Sequence, residues 1–187
     1  MEQHIIPECY IDTRLVKTLL PHKGRYNHQH GCSNVEKIIK VKLKGEFALG
    51  IIDKDKKALK YLDKCQLVCE MSGFSQLFKH KVEHHYLIII RPAMERWIMN
   101  TTVISGLSLL DFDLPDTLDK LCDITKTSKD DKDDLHAPKF YRLFREVNRI
   151  NPPSITVLKF WITYLKNNPY KADLAHIIEQ TILLQID

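Results

Sequence analysis

The run Phe47-Ala48-Leu49-Gly50-Ile51-Ile52 is followed at once by Asp53-Lys54-Asp55-Lys56-Lys57, and this abrupt change constrains the fold more than any other stretch. Successive apolar and small residues suit a short strand covered on both faces, the position of a strand inside an α/β sheet. The charged residues then mark where the chain leaves the sheet. Two aspartates one residue apart would stand at the carboxyl end of that strand, where open α/β sheets place their sites. Aspartate also caps helices and shapes turns by accepting hydrogen bonds from nearby backbone amides. The pair therefore has two roles open to it until partners are found.

The preceding chain supplies one candidate. Residues 4–12 read as a short strand ending near Glu8, followed by Ile11, Leu15, Val16, Leu19 and Leu20 at helical spacing, with Asp12 or Thr13 as cap and Pro21 beyond the end. Residues 23–34 are turn-rich, and residues 26–30 (Tyr-Asn-His-Gln-His) offer a further short strand. His28 and His30 would then point to one side, either as phosphate-binding groups or as ordinary exposed histidines. Ser33 or Asn34 caps a helix whose apolar face holds Val35, Ile38, Ile39 and Leu43. The order up to Ile52 is thus βαβαβ.

From residue 58 to 73 the positions of Ala58, Leu59, Leu62, Leu67, Val68 and Met71 predict mostly helical or irregular structure, with Cys65 and Cys69 on one helical face as small apolar residues. Residues 83–90 form the next apolar strand, and Pro92 suits the start of the helix that carries Glu95 and Trp97. Alternating strands and helices predict an α/β fold, a mainly parallel sheet with helices on both faces, over residues 1–108. Right-handed crossovers would bring Glu8, Asp53, Asp55 and Glu95 to one edge of that sheet.

Residues 109–187 read as a helical extension with a polar, charge-mixed loop near 126–136 and three helices beyond it, which would pack on the sheet or carry a protein partner. Asp111 and Asp113, flanked by Pro115, are turn and cap residues.

Composition adds bounds. With 187 residues, 44% hydrophobic and 28% charged, the chain can bury its own core as one domain with an appendage. No apolar run approaches the roughly 20 residues that span a bilayer. Five cysteines in no regular spacing, and no signal-like leading segment, set the expectation of a reducing, cytoplasmic environment. The formal charge of +4 is compatible with a polyanionic partner or with a merely solubilising lysine surface.

Acidic side chains gathered at one strand edge repel one another unless a cation or proton compensates. A hard divalent ion such as Mg²⁺, with Mn²⁺ as a substitute, prefers such oxygen ligands and can polarise a phosphodiester. Lys54, Lys56 and Lys57, with His28 and His30, would then contact a nucleic-acid backbone.

At these residues the chain resembles a known family. Glu8 after Ile6-Pro7, then Gly31-Cys32-Ser33-Asn34, then Ile51-Ile52-Asp53-Lys54-Asp55, is similar to the TOPRIM domain of topoisomerases, primases and nucleases of the overcoming-lysogenization-defect type found in bacterial defence. The segment Arg91-Pro92-Ala93-Met94-Glu95-Arg96-Trp97 is similar to the element after the next strand in stand-alone TOPRIM-like proteins. The resemblance implies a TOPRIM-like nuclease over residues 1–105. Glu8 would be ligand or general acid/base, Asp53 and Asp55 would hold Mg²⁺, and Asp12 and Glu95 would be further acidic positions. Cys9 stands where many members carry glycine, and Lys56 where several carry an acid. The alternative the resemblance leaves open is a non-catalytic interaction subunit of a defence or toxin system.

Overall fold

A computed structural model of the chain describes residues 2–53 and 59–186. Five strands, β1 (Ile5–Pro7), β2 (Ala48–Asp53), β3 (Cys65–Met71), β4 (Ser75–His80) and β5 (His85–Ile90), form one sheet in the order β1-β2-β5-β4-β3. β1, β2 and β5 are parallel neighbours, with Ile6 opposite Gly50 and Gly50 opposite Leu87. β4 and β3 then continue the sheet antiparallel.

The parallel core is buried on both sides, as its uninterrupted apolar runs require. Ile5, Leu49, Ile51, Tyr86, Ile88 and Ile90 enter one hydrophobic core, while Ile6, Ala48, Ile52, Leu87 and Ile89 enter another. This is the two-residue period of a strand sorting neighbours to opposite faces. The first core is covered by helices α1 (Tyr10–Leu19), α3 (Met94–Ile104), α5 (Ala137–Ile150), α6 (Pro153–Asn167) and α7 (Leu174–Leu183), with α4 (Leu118–Lys126) contributing Leu121. The second is covered by α2 (Cys32–Lys37), by the π turn Ile38–Lys42 that continues it, and by Tyr61 of a 3-10 turn.

Gly50 sets how closely α2 approaches. A Cβ there would stand 2.7 Å from Leu87 Cδ2 and 3.0 Å from both Ile39 Cδ1 and Val35 Cγ1. Only a residue without a side chain lets the sheet and the overlying helix meet at this distance.

Several expectations are corrected. The sheet is mixed rather than mainly parallel, because residues 65–71 and 75–80 are strands instead of helical or irregular segments. Cys65 and Cys69 accordingly lie on β3 and share no helix face. Residues 26–30 form no strand of their own; Tyr26 makes only an isolated parallel bridge to Glu2. Helices α1 and α2 have Cys9 and Gly31 at their N-caps, so neither Asp12, Thr13, Ser33 nor Asn34 is the capping residue.

The polar segment after α4 is not a free connection. Arg14 of α1 is fully buried, donates from Nε to Asp131 at 3.0 Å and lies 2.8 Å from Asp134. Its guanidinium also donates to Ser128 Oγ at 2.8 Å and to the Lys129 carbonyl at 2.7 Å. Burial opposes ionisation of Asp131, yet hydrogen bonds from Lys17, Tyr141 and Arg14 hold its carboxyl below the usual range. The loop is thereby fastened to the helix that follows Glu8. No described helix is long and apolar enough to cross a membrane.

Candidate active site

The parallel pairing of β1 with β2 brings their carboxyl ends side by side. The Glu8 amide donates to the Ile51 carbonyl at 2.9 Å, one step past the last β1 pair, and Glu8 Oε2 accepts from the Asp53 amide at 2.9 Å. The glutamate side chain thus closes the ladder that its own backbone began. Residues 29–31 run alongside, through Gln29 N–H to the Pro7 carbonyl at 3.1 Å and Gly31 N–H to the Glu8 carbonyl at 3.4 Å. Gly31 takes φ of 88°, in the left-handed region that favours glycine, and α2 starts from it.

Asp12 joins this edge through the first turn of α1. Its Oδ2 accepts from the Cys9 amide at 3.0 Å, while the Cys9 sulfur accepts from the Asp12 amide at 3.4 Å. This is a reciprocal capping box with a thiol in place of the usual hydroxyl. Asp12 is 1% exposed, and among the described residues its Oδ1 has no hydrogen-bond partner. Burial, then the charges of Asp53 and Glu8, push its carboxyl well above the ordinary value. Burial followed by the Asp12 charge pushes the Cys9 thiol up as well, so it is not a nucleophile at neutral pH.

Glu8, Asp12 and Asp53 therefore share one electrostatic environment. Asp55, Lys54, Lys56 and Lys57 lie outside the described residues. Among the described residues Glu95 makes no bond to this group: its Oε1 accepts from Thr125 Oγ1 at 2.5 Å and ties α3 to α4. Among the described residues no set of three or more His, Cys, Asp or Glu side chains is placed to hold a metal ion.

His28 and His30 stand next to the same turn. His28 stacks on Tyr10 with ring centroids 4.2 Å apart, and His30 meets both rings edge-on, at 5.4 Å from Tyr10 and 4.6 Å from His28. The single Thr13 hydroxyl proton is given to the Cys9 carbonyl at 2.7 Å. The contact of 3.1 Å between Thr13 Oγ1 and His28 Nδ1 must then be a donation from the imidazole. Burial, followed by the nearby His30, lowers the His28 pKa to about 4. His28 is thus neutral at pH 7, protonated on Nδ1, and its buried Nε2 is an acceptor without a partner among the described residues. It offers no cation for a phosphate.

A cleft of about 450 Å³ opens beside these rings, with Tyr10, Lys17, Arg25, His28 and Asp130 in its wall. Arg14, which anchors the far wall, was hidden among apolar neighbours in the sequence. Its position three residues after Ile11 and next to Leu15 places it on the inward face of α1, and a buried arginine demands acidic partners elsewhere.

Comparison of the chain with protein-family models, with curated proteins and with solved structures gives no match.

Proposed function

We propose that the chain is a Mg²⁺-dependent phosphodiesterase acting on DNA or RNA, with its acidic centre at the carboxyl ends of β1 and β2, and that it is a TOPRIM-like protein. The observation that carries this reading is Asp12: a buried carboxyl with one oxygen that has no hydrogen-bond partner among the described residues, pushed up by burial and then by the charges of Asp53 and Glu8. Concentrated negative charge with an unused oxygen suits a hard cation, and the donors are all of the oxygen type that Mg²⁺ prefers. Glu8, Asp53 and Asp55 would hold the ion, with Asp12 as the buried acid behind them. Such an ion would supply Lewis acidity toward a phosphoryl oxygen and toward water.

The chain's own groups have separate tasks. Glu8 accepts from the Asp53 amide, which holds its carboxylate at the strand ends where an ion would be bound. Asp12 keeps α1 starting at Cys9 and holds a proton that the site can release when positive charge arrives. Neutral His28 packs the wall and leaves phosphate neutralisation to Lys54, Lys56, Lys57 and Arg25.

A second reading, a TOPRIM-like interaction subunit without catalysis, is favoured by Cys9, which stands where many members carry the glycine that lets a substrate phosphate approach the backbone. One assay separates them. Labelled single- and double-stranded DNA and RNA are incubated with the protein in Mg²⁺, in Mn²⁺ and in excess chelator, alongside Asp53→Asn. The expected result is cleavage that the chelator abolishes and that the substitution lowers by about a thousandfold, the loss of several kcal/mol of charge stabilisation. Cleavage untouched by both treatments would sink the metal mechanism, and no cleavage of any substrate would favour the interaction subunit.

A further inference from the structure

The cleft beside α1 has more uncommitted chemistry than a structural gap requires. Lys17 and Asp131 are already spent on each other at 2.8 Å and on the Arg14 network. Asn27 donates to the Gln3 carbonyl and accepts from Gln29. What remains is one guanidinium, Arg25, with no ion pair among the described residues, and one carboxylate, Asp130, with no side-chain bond among them. The same cleft wall carries the stacked Tyr10–His28 pair.

Two features tie the cleft to the acidic edge. Tyr10 is the first residue of α1, two positions after Glu8, and Thr13, which bonds His28, bonds the Cys9 carbonyl with its proton. A ligand in the cleft therefore lies against the turn that carries Glu8.

From this arrangement, and resting on the phosphodiesterase reading, we infer that the cleft binds one unpaired nucleotide of the strand, with phosphate on Arg25, base against the Tyr10–His28 rings and an N–H or hydroxyl on Asp130. The ligand class follows from the mixture. A free anion would not require a carboxylate or an aromatic floor, whereas a nucleotide presents an anion, a π face and hydrogen-bond donors within one molecule. The volume is also within the range of small-molecule sites. A base enters such a cleft only when it is out of the duplex stack, so single-stranded or frayed substrate is preferred.

The test is a titration of the protein in excess chelator with adenosine 5′-monophosphate and its deoxy form, with adenosine and with inorganic phosphate, followed by NMR and calorimetry. The nucleotides are expected to bind at least about tenfold more tightly than either fragment, with Tyr10 and His28 ring signals shifting. Arg25→Ala, at an exposed position, should weaken nucleotide binding about tenfold or more, the scale of a lost hydrogen bond to a charged group. Asp130→Asn should weaken the nucleotides and leave inorganic phosphate unchanged. Phosphate binding as tight as the nucleotide, or an Arg25→Ala variant with unchanged affinity, would overturn the proposal. Because the titration contains no metal, failure of cleavage in the nuclease assay with intact nucleotide binding would count against the phosphodiesterase and not against the cleft.

Discussion

At the scale of single residues, Asp12 is the most informative group. Its carboxyl titrates above the unfolded value of about 3.9. The folded protein therefore retains a proton that the unfolded chain gives up, and stability falls as pH climbs from about 4 toward the raised value. Asp12→Asn removes that dependence while keeping an oxygen to accept from the Cys9 amide. The variant is expected to melt above the parent at pH 8 by several °C, about 2–4 °C for each kcal/mol relieved, with the gap closing by pH 4. Calorimetry across that range checks it; a gap independent of pH would show that burial and the neighbouring carboxylates do not raise the Asp12 carboxyl. Sequence supplied Glu8 and Asp53 because each ends an apolar strand. It misassigned Asp12, since a cap and an N3 residue both sit at the start of a helix and only the thiol partner at Cys9 distinguishes them.

Among elements, the fastening of residues 128–134 to α1 is the strongest claim. Removing Arg14 leaves Asp131 and Asp134 with a buried share of uncompensated charge, and breaking a buried pair in this way costs about 3–5 kcal/mol. Arg14→Ala is expected to lose about that much in urea unfolding at pH 7. Asp131 and Asp134 are both held below their ordinary values, although burial opposes this. Their contribution is present above about pH 4 and is lost as pH falls through the lower folded values, so parent and variant should converge in acid. An unchanged midpoint would reduce the loop to a loosely associated strap. The segment was legible as polar and aperiodic but not as anchored, because its partner lies 114 or more residues away. β3 escaped for a different reason. It is an edge strand with a register shift between Leu67 and Cys69, which breaks the two-residue alternation and leaves Leu67 and Met71 four apart, a spacing that mimics a helix. β2 and β5 were plain because burial on both faces needs no periodicity at all.

For the whole molecule, the sheet and the helical extension share one core. Ile5, Leu49 and Ile88 belong to the same cluster as Trp97, Phe140, Phe144, Val157, Trp161 and Ile177. Residues 1–108 alone would expose the sheet face that these side chains cover. They are expected to lack a cooperative urea transition and a near-ultraviolet circular dichroism signal; a sharp transition would show that the helices beyond 108 are dispensable for folding. The capping box at Cys9 has an effect at this scale too. One carboxyl both starts α1 and sets the charge of the site, and α1 in turn holds the loop that joins the later helices. Chemistry and architecture are thus inherited together: a lineage that puts at position 12 a side chain unable to accept from the Cys9 amide loses a helix start along with the buried acid beside Glu8 and Asp53.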